Sequence, residues 1–157
     1  RLLVGDNHAG LVDRALAVKF DEWMREMYPQ LVQWQRDVRS VAEDDRLLDN
    51  GFGRLMKADP RFAYTQAPAL VGQGCTRDIL AEGLLRIPLE FWPYLRVIVH
   101  DEVVMSVPTK DFEEISRIVV EAMSFNLADV TGGKLASVPV VAEASKPGRT
   151  WAEVYEK

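Results

Sequence analysis

The sequence has little cysteine, no excess of glycine or proline and no long apolar run: its 157 residues include 1 Cys, 10 Gly and 8 Pro. A lone Cys75 excludes an internal disulfide. With only His8 and His100 beside it, the usual Cys/His structural zinc site is excluded too, and a reducing compartment is expected. Ordinary Gly and Pro levels exclude collagen-like and low-complexity chains. No stretch of ~18 apolar residues exists, so no membrane-spanning helix is expected. The opening Arg1-Leu2-Leu3-Val4-Gly5-Asp6 lacks the basic, apolar, small-residue order of a secretory signal. It also lacks an initiator Met, so a processed product, an engineered segment or a piece of something longer is expected. Gly51-Phe52-Gly53 and Gly72-Gln73-Gly74 match neither dinucleotide nor P-loop spacing. A basic excess is missing as well. The net charge of -5 excludes nucleic-acid binding through global charge.

What is present is 48% apolar and 27% charged residues, the composition of an ordinary folded chain. At this length roughly two-thirds of the unfolded surface can be buried, and one compact domain over residues 1–157 is expected. Charge is uneven: residues 50–77 carry 4 basic side chains against 1 acidic, while both flanks are acidic.

Val12, Leu16, Phe20, Trp23, Met24 and Met27 recur at helical spacing and predict one buried helix face. Tyr28-Pro29 interrupts it, and Leu31, Trp34, Val38 and Val41 predict a second helix beginning at Pro29. Asn50-Gly51 predicts a small hairpin on a type I′ turn. Leu70 to Leu84 predict a helix reaching about Arg86, with Pro68 near its start. Residues 94–108 read as a tight hairpin of two well-buried strands with His100-Asp101-Glu102 at the turn. Asp111 and Glu114 have capping-box spacing ahead of a helical stripe running from Ile115 to Asn126. Residues 137–143 predict a last strand, with Pro139 marking an edge. Helices alternating with tight hairpins define an α+β fold: antiparallel hairpin sheet against α-helices.

Asp101-Glu102 is the most suggestive chemical feature. Paired carboxylates on a rigid valine-rich hairpin suit a hard cation such as Mg²⁺, although a polar triplet at a hairpin tip also suits a plain solvated turn. Arg54, Lys57, Arg61 and Arg77, interleaved with Phe52, Phe62 and Tyr64, can hold phosphates and stack on bases, or simply form a solvated face. Gln73, read at a helix start, can offer an amide to a minor-groove edge or stay a surface residue. The four tryptophans read as core anchors, His8 as a loop residue and Cys75 as a small core residue rather than a nucleophile.

In order along the chain, these pieces resemble the C-terminal part of family A (DNA polymerase I type) DNA polymerases, in particular phage-encoded ones. Tyr28-Pro29 resembles the family's YP helix, and Gly51-Phe52-Gly53-Arg54 its "GR" hairpin. Gln73-Gly74-Cys75-Thr76-Arg77-Asp78 is similar to "QGTAAD", and Val99-His100-Asp101-Glu102-Val103-Val104 to motif C, "VHDELV". Val138-Pro139 and the tail Gly148 to Tyr155 also fit. The resemblance covers residue 16 onward. It implies a partial palm subdomain in which Asp101 ligates catalytic metal, Glu102 is its acidic neighbour and His100 lies near the primer terminus. Arg54 and Gln73 would reach the minor groove, with Arg61, Lys57 and Arg77 as further DNA contacts. Two Mg²⁺ ions, primer-template DNA and deoxynucleoside triphosphates are implied for the complete enzyme, in the host cytoplasm and without a membrane. The family's Asn four residues before the Gln is Ala69 here, and Arg77 replaces a small residue. The motif A strand and the nucleotide-holding fingers helix have no counterpart, so this chain alone is expected to be inactive and to expose a strand edge open to self-association. A non-catalytic nucleic-acid-binding domain and a metal-dependent nuclease are the rival classes.

Overall fold

The computed structural model describes residues 14–155, so His8 and Val12 lie outside the described residues. The observed elements are helices and three two-stranded sheets, two of them paired antiparallel, consistent with an α+β chain. Two compact units arise. The first takes the described part of Arg1–Leu48 together with Lys57–Pro68; the second takes Asp49–Met56 and the described part of Ala69–Lys157.

In the first unit, α1 (Arg14–Met27) packs against α2 (Pro29–Glu43). The break falls where the sequence places it. Tyr28 leaves helical geometry at φ -130° and ψ 56°, and Pro29, having no N–H to lose, opens α2. Burial differs from expectation. Leu16, Phe20, Trp23 and Met27 are all exposed and α1 buries no residue, because the interior of this unit is built from Ala42, Leu48, Ala58, Ala63 and Ala67 instead. The α1 aromatics shield one another: Trp23 lies 5.7 Å from Phe20 and meets Tyr28 edge-on. All four tryptophans are exposed, so none is the core anchor its spacing suggests.

Helix α3 (Ala63–Arg86) starts one turn ahead of Pro68, after a single turn over Pro60–Phe62 whose first N–H is capped by Asp59. In the second unit, β1 (Leu48–Asp49) and β2 (Leu55–Met56) form a short hairpin against α3. The hairpin β3 (Leu95–Val99) with β4 (Glu102–Met105) lies where the sequence predicts it, but not well buried: Val97 is 41% and Ile98 50% exposed. No third strand joins this sheet among the described residues. Pairing is regular from Val99↔Glu102 to Val97↔Val104, then slips to Leu95↔Met105, leaving Arg96 as an extra residue. Arg96 folds back so that its Nη1 donates to the carbonyls of Pro93 and Leu95.

Helix α4 (Phe112–Met123) buries Ile115. The expected capping box does not form, because a turn over Thr109–Asp111 already curls the chain and the Asp111 side chain accepts no capping bond. The helix also stops short of Asn126. That residue sits in β5 (Phe125–Asn126), and its side-chain Oδ1 caps α5 (Leu127–Val130) by accepting from the N–H of Ala128. The last strand, β6 (Pro139–Val140), is shorter than expected and pairs antiparallel with β5; α6 (Trp151–Tyr155) follows. No helix among the described residues is long and apolar enough to cross a membrane.

Candidate functional site

The β1–β2 connection is not the two-residue type I′ turn that Asn50-Gly51 predicts. Residues 50–54 make a wider loop in which Gly51 and Gly53, but not Asn50, take positive φ (87° and 88°). Asn50 is occupied differently. Its Oδ1 accepts from the N–H groups of Phe52 (3.1 Å) and Arg54 (3.3 Å), while Asp49 accepts from Gly51 (2.8 Å). Such side-chain acceptors replace the backbone bonds of a tight turn.

The other end of Asn50 reaches α3. Its Nδ2 donates to Oδ2 of Asp78 (2.7 Å), and Arg54 grips the same carboxylate with Nε (2.8 Å to Oδ2) and Nη2. Gly74, one turn earlier on α3, permits the approach: a Cβ there would sit 2.8 Å from Sδ of Met56. The Asp78 side chain is 11% exposed, and the Arg54 guanidinium holds its carboxyl below the usual range against the opposing effect of burial. Burial, then the Asp78 charge, pushes the half-buried Cys75 thiol up, which keeps it protonated.

Two grooves flank Arg54. One, of about 280 Å³, is lined by Arg54, Met56, Leu70, Gln73, Gly74 and Arg77. The other, of about 400 Å³, is lined by Phe52, Gly53, Arg54, Asp78, Glu82 and Leu85 with Ala81. The periodicity of α3 produces both. Leu70, Gln73, Gly74 and Arg77 form one stripe at i, i+3, i+4, i+7, and Asp78, Ala81, Glu82 and Leu85 form the next. The smaller groove is lined by two arginines and a glutamine beside Met56 and Leu70, residue types that can supply donors to phosphate oxygens or to acceptors on base edges.

Arg54, Gln73 and Arg77 are thus brought together, with Gln73 in mid-helix rather than at a helix start. Lys57 and Arg61 are not among the lining residues. They belong to the first unit, where Lys57 pairs with Asp45 (3.1 Å) and Arg61 with Asp59 (2.6 Å). Asp78 and Asn50 are the residues that sequence reasoning passed over; they lie 28 positions apart, and their only signal is a lone acidic residue at the end of the QGCTRD stretch.

At the second hairpin, His100 and Asp101 form a two-residue turn with His100 at φ 53°. Asp101 is exposed at this tip, lines neither groove, and forms no ion pair among the described residues. Glu102 is half-buried opposite Val99. Among the described residues no group of three His, Cys, Asp or Glu side chains is placed to hold a metal ion.

The class defined so far is an α+β chain with a small hairpin clamped on a helix beside a basic groove. Comparison with known proteins adds two relatives. The chain is 30% identical to a DNA polymerase of Mycobacterium phage D29 over 101 residues, 61% of this chain and 16% of that protein. It is 24% identical to a DNA polymerase of Mycobacterium phage L5 over 141 residues, 89% of this chain and 22% of that protein. The chain therefore spans about a fifth of the length of these curated relatives. No protein-family model and no solved structure matches.

Proposed function

We propose that this chain is part of a template-directed DNA polymerase of the family A type, forming the C-terminal part of its palm and adjoining helices as a single domain. The observation that carries the reading is the similarity to two phage DNA polymerases, along 61% of the chain in one and 89% in the other. Arg54, Gln73 and Arg77 on one groove support it, since donors facing minor-groove acceptors sense base-pair geometry without reading sequence. Primer-template DNA and deoxynucleoside triphosphates are the partners, with Lys57 and Arg61 as further phosphate contacts and the host cytoplasm as the compartment.

Asp101 is the metal ligand in this reading, with Glu102 beside it and His100 near the primer end. Carboxylate oxygens fit Mg²⁺ in kind; the pair at one turn supplies only part of an octahedral shell, and other ligands must come from elsewhere in the polymerase. Bound Mg²⁺ supplies Lewis-acid stabilisation of phosphoryl oxygens. The residues of this chain orient the duplex and hold one edge of that site. By itself the chain gives no primer extension, and the exposed β3–β4 sheet draws two copies together.

A second reading, a nucleic-acid-binding accessory without catalysis, is favoured by one observation: Asp101 lines neither groove. The two separate on a polymerase that carries this segment. Asp101→Ala eliminates primer extension while leaving duplex binding in place if the first reading holds; unchanged extension leaves the accessory role.

A further inference from the structure

We propose that Asp78, backed by Asn50, is a positioning residue that sets the direction of the Arg54 guanidinium and thereby the affinity of the Arg54–Gln73–Arg77 groove for duplex DNA. The inference rests on the polymerase reading only in naming duplex DNA as the ligand. Arg54 leaves the hairpin with its side chain 39% exposed and would sweep a wide cone if nothing held it. Asp78 takes both Nε and Nη2, a fork-on-fork pair that fixes the guanidinium plane and leaves Nη1 outside it. Asn50 closes the arrangement. Through one side chain it fixes the loop that carries Arg54, accepting at Oδ1, and fixes the carboxylate that Arg54 grips, donating at Nδ2. Direction of the arginine and shape of the loop are therefore set by the same buried amide, with Asn50 at 2% exposure.

Charge and position make opposite predictions, and that separates them. Asp78 is an anion beside two groove cations: Arg54, which it pairs, and Arg77, whose charge acts on it. By Coulomb's law alone, neutralising Asp78 raises the positive charge of the groove and tightens its hold on a polyanion. If Asp78 acts by aiming Arg54, neutralising it weakens binding despite the gain in charge.

The experiment is fluorescence anisotropy of a labelled primer-template duplex titrated with the 157-residue chain at several salt concentrations, with far-UV circular dichroism confirming that each variant folds. Asp78→Asn is expected to weaken binding by about fivefold and Asp78→Glu to recover most of it. If Asp78→Asn does not fold, Asn50→Ala decides the question: weaker binding supports the proposal and unchanged binding overturns it. Arg54→Ala is the reference. Loss with Arg54→Ala but equal or tighter binding with Asp78→Asn overturns the positioning role alone. Absence of binding by the unaltered chain, or no loss with Arg54→Ala, removes duplex DNA as the ligand, and the positioning role falls with it.

Discussion

The hairpin of β1 and β2 turns through residues 50–54, a loop stitched by Asp49 and Asn50 and tied by Asp78 to α3, whereas the hairpin of β3 and β4 turns on His100 and Asp101 alone. In the first, the polar groups that join loop to helix are turned inward: Asn50 and Asp78 are buried and bond to each other. In the second they point outward, on longer strands with open faces. A side chain whose hydrogen bonds are all satisfied internally can aim a neighbour but does no chemistry on an external molecule. A carboxylate held at an exposed tip by well-paired strands is available to a ligand.

The largest expected effect lies at the open tip. In a polymerase carrying this segment, Asp101→Ala lowers the primer-extension rate by about 10³-fold or more, since a lost metal ligand removes several kcal/mol of transition-state stabilisation. Steady-state nucleotide incorporation measures it, and a change below tenfold breaks the contrast with the clamped hairpin.

Next comes the clamp. Asp78→Ala strips a buried carboxylate from Asn50 and Arg54 and is expected to lower stability by about 2 kcal/mol in urea melts. Its pH dependence has a definite sign. Because the folded carboxyl titrates below its unfolded value, the stabilisation is complete above the ordinary carboxylate range near pH ~4 and fades as pH falls toward the depressed value. Asp78→Asn loses that acid-side slope; equal slopes for unaltered chain and Asp78→Asn would assign the acid transition to other groups.

Smaller effects come from the turn backbones. Gly51→Ala forces a side chain into φ 87°, where its Cβ meets Leu135 at 2.5 Å, and is expected to lower stability by about 1.5 kcal/mol. At the other turn His100 already sits at positive φ with open surroundings, so His100→Gly changes stability by less than about 0.5 kcal/mol. Thermal melts of the two variants side by side make the comparison. The smallest shift concerns association: if the exposed sheet draws copies together as proposed, the light-scattering mass of the unaltered chain is expected to rise with concentration and Ile98→Lys to keep it at one protomer.

What the sequence made legible was local. The Tyr28-Pro29 break, the end of α3 at Arg86 and both hairpins follow from neighbours within a few residues, and proline, Asn-Gly and runs of valine act at that range. Burial did not follow. Whether the Phe20 and Trp23 stripe is covered depends on what else packs nearby, and alanines fill the interior of that unit instead. The site was half legible for the same reason. Helical spacing puts Gln73, Gly74 and Arg77 on one face, but only the folded chain brings Asn50 and Arg54 onto Asp78, and an Asn that accepts from two loop amides looks in sequence like one that opens a tight turn. Asp111 and Asn126 illustrate the competition between a side-chain cap and a neighbouring turn: at Asp111 the turn wins, at Asn126 the cap does.

The slip at Arg96 gives the β3–β4 sheet a handed preference for company. On the β3 side, the carbonyl of Leu95 is taken by the guanidinium of Arg96, and the backbone steps out of line there. On the β4 side, Glu102–Met105 runs without such a step. A strand that lengthens this ribbon is therefore expected along β4, where the backbone does not step out of line.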